Sequence, residues 1–154
     1  MILAIHLLAG AALAQSSPAV GPGLIAAFFS HFLLDHLPHH EYRIDDLKTP
    51  VTVRALRDTA KAGADLFVGY AAIVLLWGSS LSWLVLLGAF LAILPDGLAI
   101  VARFFTFGPL QRFQVVHDLF HFPHEKLLGW RAVLGEAGII AAVLVLWYSN
   151  GLRG

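Results

Sequence analysis

The sequence predicts an all-α fold: a polytopic membrane helix bundle of about four to five transmembrane helices plus an interfacial helix that carries histidines. Three observations predict it. The 154-residue chain is 58% hydrophobic and only 13% charged, with a formal net charge of zero, whereas soluble domains run at about 45–50% apolar and about 25% charged. Its apolar residues fall in blocks near the ~20 residues that a spanning helix needs. Its Lys and Arg residues cluster on alternate connections between those blocks. The length suits one domain, residues 1–154. This composition argues against a soluble enzyme and a disordered chain. The neutral charge argues against a nucleic-acid partner, which requires a basic surface. With no cysteine, neither a disulfide scaffold nor a thiolate metal site is available. Against this oily background stand eight histidines.

The elements follow in chain order. Residues 1–14 are apolar but short: as a helix they rise about 21 Å at ~1.5 Å per residue, enough for a partial span or a crossing of thinned bilayer. The Ala-Leu-Ala-Gln sequence ending at Gln15 resembles a signal-peptidase site, but a basic n-region is missing and His6 interrupts the apolar core, so a retained helix is expected. Residues 19–37 form the second apolar stretch, 62–77 the third, 81–105 the fourth and 132–148 the fifth. The run after Pro50 reads as an amphipathic lead-in to the third span. Pro109 suits the first turn of a helix over LQRFQVVHDLFHF, within residues 109–124, apolar on one side, basic at its start and suited to a membrane surface.

Arg43, Lys48, Arg54, Arg57 and Lys61 lie between the second and third spans. Arg103, Arg112, Lys126 and Arg131 flank or fill the stretch between the fourth and fifth, and only Arg153 breaks the pattern. The positive-inside rule then puts both long loops and the N-terminus in the cytoplasm, in a bacterial or archaeal inner membrane.

On this topology the ionisable residues share one depth. His6 lies near the inner end of the first helix, and His31, Asp35 and His36 near the inner end of the second. Asp65 opens the third span and Asp96 sits in the inner half of the fourth. His117, Asp118, His121 and His124 precede the fifth, with Glu136 near its start. Ionisable residues within a membrane are costly, and they usually face a cavity or one another. Taken singly, each is explained by helix ends meeting water; as a set they point to one polar site.

Spacing adds chemistry. His31 and Asp35 are i and i+4 on one helix face, and His117 and His121 repeat that spacing, with His124 a turn further on. Such pairs can ligate one metal. Imidazole and carboxylate ligands without thiolate suit one or two divalent ions of Zn, Mn or Fe. The candidate metal ligands are His6, His31, Asp35, Asp65, Asp96, His117 and His121; His36 and His124 are candidates for acid–base catalysis. His39 and His40 read as solvated loop histidines, and Asp118 as a cap or a solvated charge. Trp77, Trp83, Trp130, Trp147 and Tyr148 read as belt residues at the membrane interfaces, and Gly129, Gly135 and Gly138 as sites of close helix packing.

Five blocks occur in order: HLLAG near the start, SHFLLDHLPHHEY at a span end, ADLFVG, LPD within a later span, and HDLFHFPH before the last. Together they resemble small prokaryotic inner-membrane proteins of the membrane-bound metal-dependent hydrolase class (YdjM-like, in the broad sense), over nearly the whole chain. The resemblance implies metal-dependent hydrolysis, with His6, His31, Asp35, Asp65, Asp96, His117 and His121 at the pattern's polar positions. The chain departs from the pattern at Asp118, where a basic residue is more usual. The expected function is a membrane-embedded metallohydrolase acting on a lipid or lipid-linked phosphoester at the cytoplasmic face. Two alternatives stay open: a non-catalytic metal-binding subunit of a membrane complex, and an ion or proton transporter.

Overall fold

The computed structural model describes residues 3–39, 53–120 and 129–151. Among these it is all-helical. Six α-helices follow one another: α1 (Leu3–Ser16), α2 (Val20–Asp35), α3 (Val53–Trp77), α4 (Trp83–Phe104), α5 (Gly108–Asp118) and α6 (Gly129–Gly151). Three apolar stretches, Leu56–Ser80, Trp83–Ala102 and Gly129–Asn150, are long enough to cross a membrane. The two N-terminal helices are shorter, at 14 and 16 residues. The expected second span therefore starts one residue later and ends two earlier than the apolar run suggested. His36 caps the helix C-terminus, and Pro38, which bars the preceding residue from helix, follows.

The shortest span candidate is the centre of the bundle. α1 packs against α2, α3, α4 and α6, and its buried residues (Ile5, His6, Leu7, Ala9, Gly10, Ala11, Ala12 and Ala14) cover its whole circumference. A helix apolar all round is a buried helix. Small residues let its neighbours come close. A Cβ on Gly10 would collide with the Gly88 carbonyl, and one on Gly88 would lie 2.6 Å from the Gly10 carbonyl, so α1 and α4 cross backbone to backbone. A Cβ on Gly69 would lie 2.8 Å from the Ala4 Cα, bringing α3 equally near. Close small-residue contacts of this kind drive helix association in lipid, where apolar burial gives no net gain. Of the three glycines expected at helix contacts, Gly135 packs against the Pro38 carbonyl, while a Cβ on Gly129 or Gly138 would meet nothing within 4 Å among the described residues.

The polarity of the outer helices is inverted relative to a soluble protein. α2 turns Gly23, Ala27, Ser30, His31, Leu34 and Asp35 inward, while Ile25, Phe29 and Leu33 are 60–68% exposed. Phe67 and Leu75 on α3 and Val145 on α6 are exposed as well. Apolar surface this continuous is stable against lipid, not against water.

At one end of the bundle, neutral polar groups tie the helices. The Trp77 indole donates to Gln15, Trp147 Nε1 donates to the Leu76 carbonyl at 2.8 Å, and Asn150 donates to Ser16 Oγ at 2.7 Å. Trp77 is thus a core residue, 2% exposed, and not the belt residue its place in the sequence suggested: α1 lies against it and covers its ring. Trp83, Trp130 and Tyr148 are exposed, as belt residues are. The charged and titratable cluster lies at the opposite end.

Candidate metal centre

Three helices deliver the cluster, each for a local reason. On α2 the i, i+4 spacing places His31 and Asp35 on the inward face, where both are nearly fully buried. α4 starts at the N-cap Ser82, whose Oγ accepts from Val85 N–H, and runs through Pro95. Proline has no N–H, so the helix ladder is interrupted one residue before Asp96. α5 begins with Pro109 in its first turn, as the sequence predicted. Gln111 then folds back on α4, donating to the Ala102 carbonyl at 2.6 Å and the Phe105 carbonyl at 3.0 Å. These bonds satisfy carbonyls at the end of α4 that have no intrahelical donor, and they dock α5 so that His117 faces inward.

Four ligand atoms converge. His31 Nε2 lies 3.0 Å from Asp35 Oδ2, 3.1 Å from His117 Nε2 and 3.6 Å from Asp96 Oδ1. His117 Nε2 is 3.4 Å from Asp96 Oδ1. All four residues offer ligand atoms within 4.8 Å of one another. His31, Asp35 and His117 are buried, and Asp96 is the most open, with its side chain 25% exposed.

The tautomer of His31 follows from its other nitrogen. Nδ1 is 2.8 Å from the Ala92 carbonyl, and a carbonyl can only accept, so Nδ1 carries a proton. In the neutral ring Nε2 is then a lone pair aimed at a carboxylate oxygen and at a second imidazole nitrogen. Lone pairs and anionic oxygens crowded out of water repel unless a cation or protons lie among them. His6 adds to the wall: its Nε2 is 3.1 Å from Asp35 Oδ1, and its ring lies 4.5 Å from that of His31. His6 Nδ1 is buried without a hydrogen-bond partner among the described residues. On the far side of the cluster, His117 Nδ1 faces Asp118 Oδ1 at 3.6 Å, and Asp118 accepts from Gln114 at 2.7 Å.

The expected ligands therefore divide. His31, Asp35, Asp96 and His117 come together, and His6 touches the group through Asp35. Asp65 does not join them. Its Oδ2 accepts from the Ala4 N–H at 3.2 Å, so it caps the N-terminus of α1, where a carboxylate is favoured by unsatisfied N–H groups. His36 is exposed at the end of α2 and contributes no atom to the convergence. α5 ends at Asp118, followed by the turn in which Phe120 N–H reaches the His117 carbonyl; the expectation for His121 and His124 falls on the stretch after that turn. Those two residues, like His40, lie outside the described residues; His39, expected to be a solvated loop histidine, is instead buried, its Nδ1 donating to the Leu37 carbonyl as the chain turns at Pro38. Sequence reasoning missed the Ala92 carbonyl and the ring of Phe32, which stands edge-on to both His31 and His117; neither leaves a signal in a one-dimensional pattern.

No family model matches the chain, and no curated protein or solved structure matches it either.

Proposed function

We propose that the chain is a membrane-embedded metal-dependent hydrolase whose centre is His31, Asp35, Asp96 and His117. The observation that carries this reading is the spacing of the four ligand atoms. A tetrahedral site with metal–ligand bonds of ~2.0–2.1 Å separates its ligands by roughly 3.3–3.4 Å; of the six separations among the four ligand atoms, the four that involve His31 or join His117 to Asp96 run from 3.0 to 3.6 Å and bracket that value, and the two from Asp35 to Asp96 and His117 stay within 4.8 Å. Two imidazoles and two carboxylates suit Zn, Mn or Fe. The Nδ1–H of His31 held by a backbone carbonyl is the outer contact expected of a histidine that ligates through Nε2.

A divalent metal, when bound, supplies a Lewis acid and a water of lowered pKa. The residues supply the rest. The partial exposure of Asp96 leaves one side of the cluster open to water and substrate, as catalytic sites require. His36, exposed beside Asp35, is a histidine outside the cluster that could exchange a proton with a leaving group. The depth of the site, among apolar helices, favours an ester or phosphoester carried on a lipid. The Lys and Arg distribution favours the cytoplasmic side of a bacterial or archaeal membrane, and the ordered polar blocks favour kinship with the YdjM-like hydrolases.

Near-complete burial of His31 and Asp35 favours a second reading, a structural metal in a subunit of a membrane complex. Metal analysis of the purified protein, followed by alanine replacement of Asp35 and Asp96 and assay on lipid phosphoesters, separates the two. Hydrolysis lost together with the metal supports the enzyme. A metal-bound protein without hydrolytic activity supports the structural role.

A further inference from the structure

A cleft of about 650 Å³ runs along the outer side of the cluster, between α2 and α5. Phe29, Phe32 and Leu33 line it from α2, Val116 from α5 and Phe120 from the turn after α5, and His36 stands in its wall. Its size falls within the roughly 300–1,000 Å³ of small-ligand sites. We propose that this cleft holds one hydrocarbon chain of a lipid and presents that lipid's ester or phosphoester head to the cluster, which deepens, and for the head group rests on, the hydrolase reading.

Two observations select that occupant. The first is the wall shared with the cluster. The Phe32 ring is edge-on to His31 at 5.4 Å and to His117 at 6.2 Å, and on its other side meets Phe120 at 5.2 Å. A chain lying against Phe32 and Phe120 is thus one aromatic ring from the ligand nitrogens. The second is the contrast with the helix contacts of the same molecule. The closest backbone approaches between helices here are made at small residues, Gly10 against Gly88 and Gly69 against Ala4. The cleft is walled by phenylalanine, leucine and valine, which hold a second helix at a distance. Apart from His36, the described residues of its lining offer no side-chain hydrogen-bonding group, so an extended peptide would leave its backbone unsatisfied against them. A hydrocarbon chain has no such need.

The test uses full-length, metal-loaded protein in phosphatidylglycerol–phosphatidylethanolamine vesicles containing a trace of phospholipid with a diazirine near the end of one acyl chain. After irradiation, adducts on α2 and α5 peptides are expected to exceed, several-fold, those on the exposed Leu75 and Val145 faces. Val116→Trp, which fills the cleft, should lower the α2 and α5 adducts several-fold while bound metal is unchanged. Leu33→Trp fills it from the opposite wall and replaces Val116→Trp if that variant misfolds. Equal labelling of all exposed faces, or labelling insensitive to both cleft-filling variants, overturns the proposal. So does a dimer whose cross-links run through Phe29 and Val116. Selective cleft labelling of a protein that binds no metal would uphold the chain site and sink the hydrolase reading instead.

Discussion

His31 Nδ1 sits 2.8 Å from the carbonyl oxygen of Ala92, and this contact between α2 and α4 fixes which nitrogen of His31 faces the cluster. The ring is therefore expected in the Nδ1–H form with Nε2 unprotonated and metal-bound. Two-bond ¹⁵N–¹H correlation spectra of metal-loaded protein check this. A Nε2–H tautomer for His31 would contradict it.

Asp118 faces the second nitrogen of His117 at 3.6 Å while held by Gln114. Its side chain is largely exposed, so solvent weakens the interaction. Asp118→Asn is expected to reduce metal affinity about tenfold, the low end for outer contacts to a ligand histidine. His117→Ala should abolish binding at the same metal concentration. Competition titration against a chelator measures both; equal affinity in Asp118→Asn and wild type would remove Asp118 from the site.

Asp65 and Asp35 lie at similar depth and do different work. Asp65→Ala removes the acceptor for Ala4 N–H and is expected to cost about 1 kcal/mol, the scale of a lost helix cap. It should leave metal content intact. Asp35→Ala should remove the metal. Denaturation midpoints and elemental analysis of the two variants, run side by side, distinguish the roles, and metal loss in Asp65→Ala would restore Asp65 to the site.

α1 and α4 cross with Gly10 and Gly88 backbone to backbone. Gly88→Ala places a methyl against the Gly10 carbonyl and should destabilise by about 1–3 kcal/mol, as overpacking does. Gly138→Ala meets nothing within 4 Å among the described residues and should be neutral or stabilising by up to ~1 kcal/mol, since glycine is a poor helix former. Thermal unfolding in detergent measures the pair. A neutral Gly88→Ala would contradict the crossing.

Depth along the membrane normal was legible in the sequence, and azimuth around each helix was not. Counting from span ends placed His6, His31, Asp35, Asp96 and His117 at one level, and those five meet. The same count placed Asp65 and His36 at that level too. Asp65 faces the first turn of α1, and His36, one residue and about 100° beyond Asp35 on a helix of 3.6 residues per turn, points outward. The central position of α1 was hidden for a related reason. Its length suggested a partial span, and only its neighbours reveal that a helix of alanine, glycine and leucine can be enclosed on all sides. That enclosure turned Trp77 from a belt residue into core. It also decided which glycines matter: Gly10, Gly69 and Gly88 face a neighbouring backbone, while Gly129 and Gly138 do not.

The central claim is that His31, Asp35, Asp96 and His117 bind a divalent metal. Elemental analysis of the full chain, purified in mild detergent without affinity-column metals, tests it most directly. At least one Zn, Mn or Fe ion per chain is expected, lost in folded Asp35→Ala and Asp96→Ala proteins. A fully folded wild-type protein that is metal-free, and stays so after incubation with these ions, would contradict it.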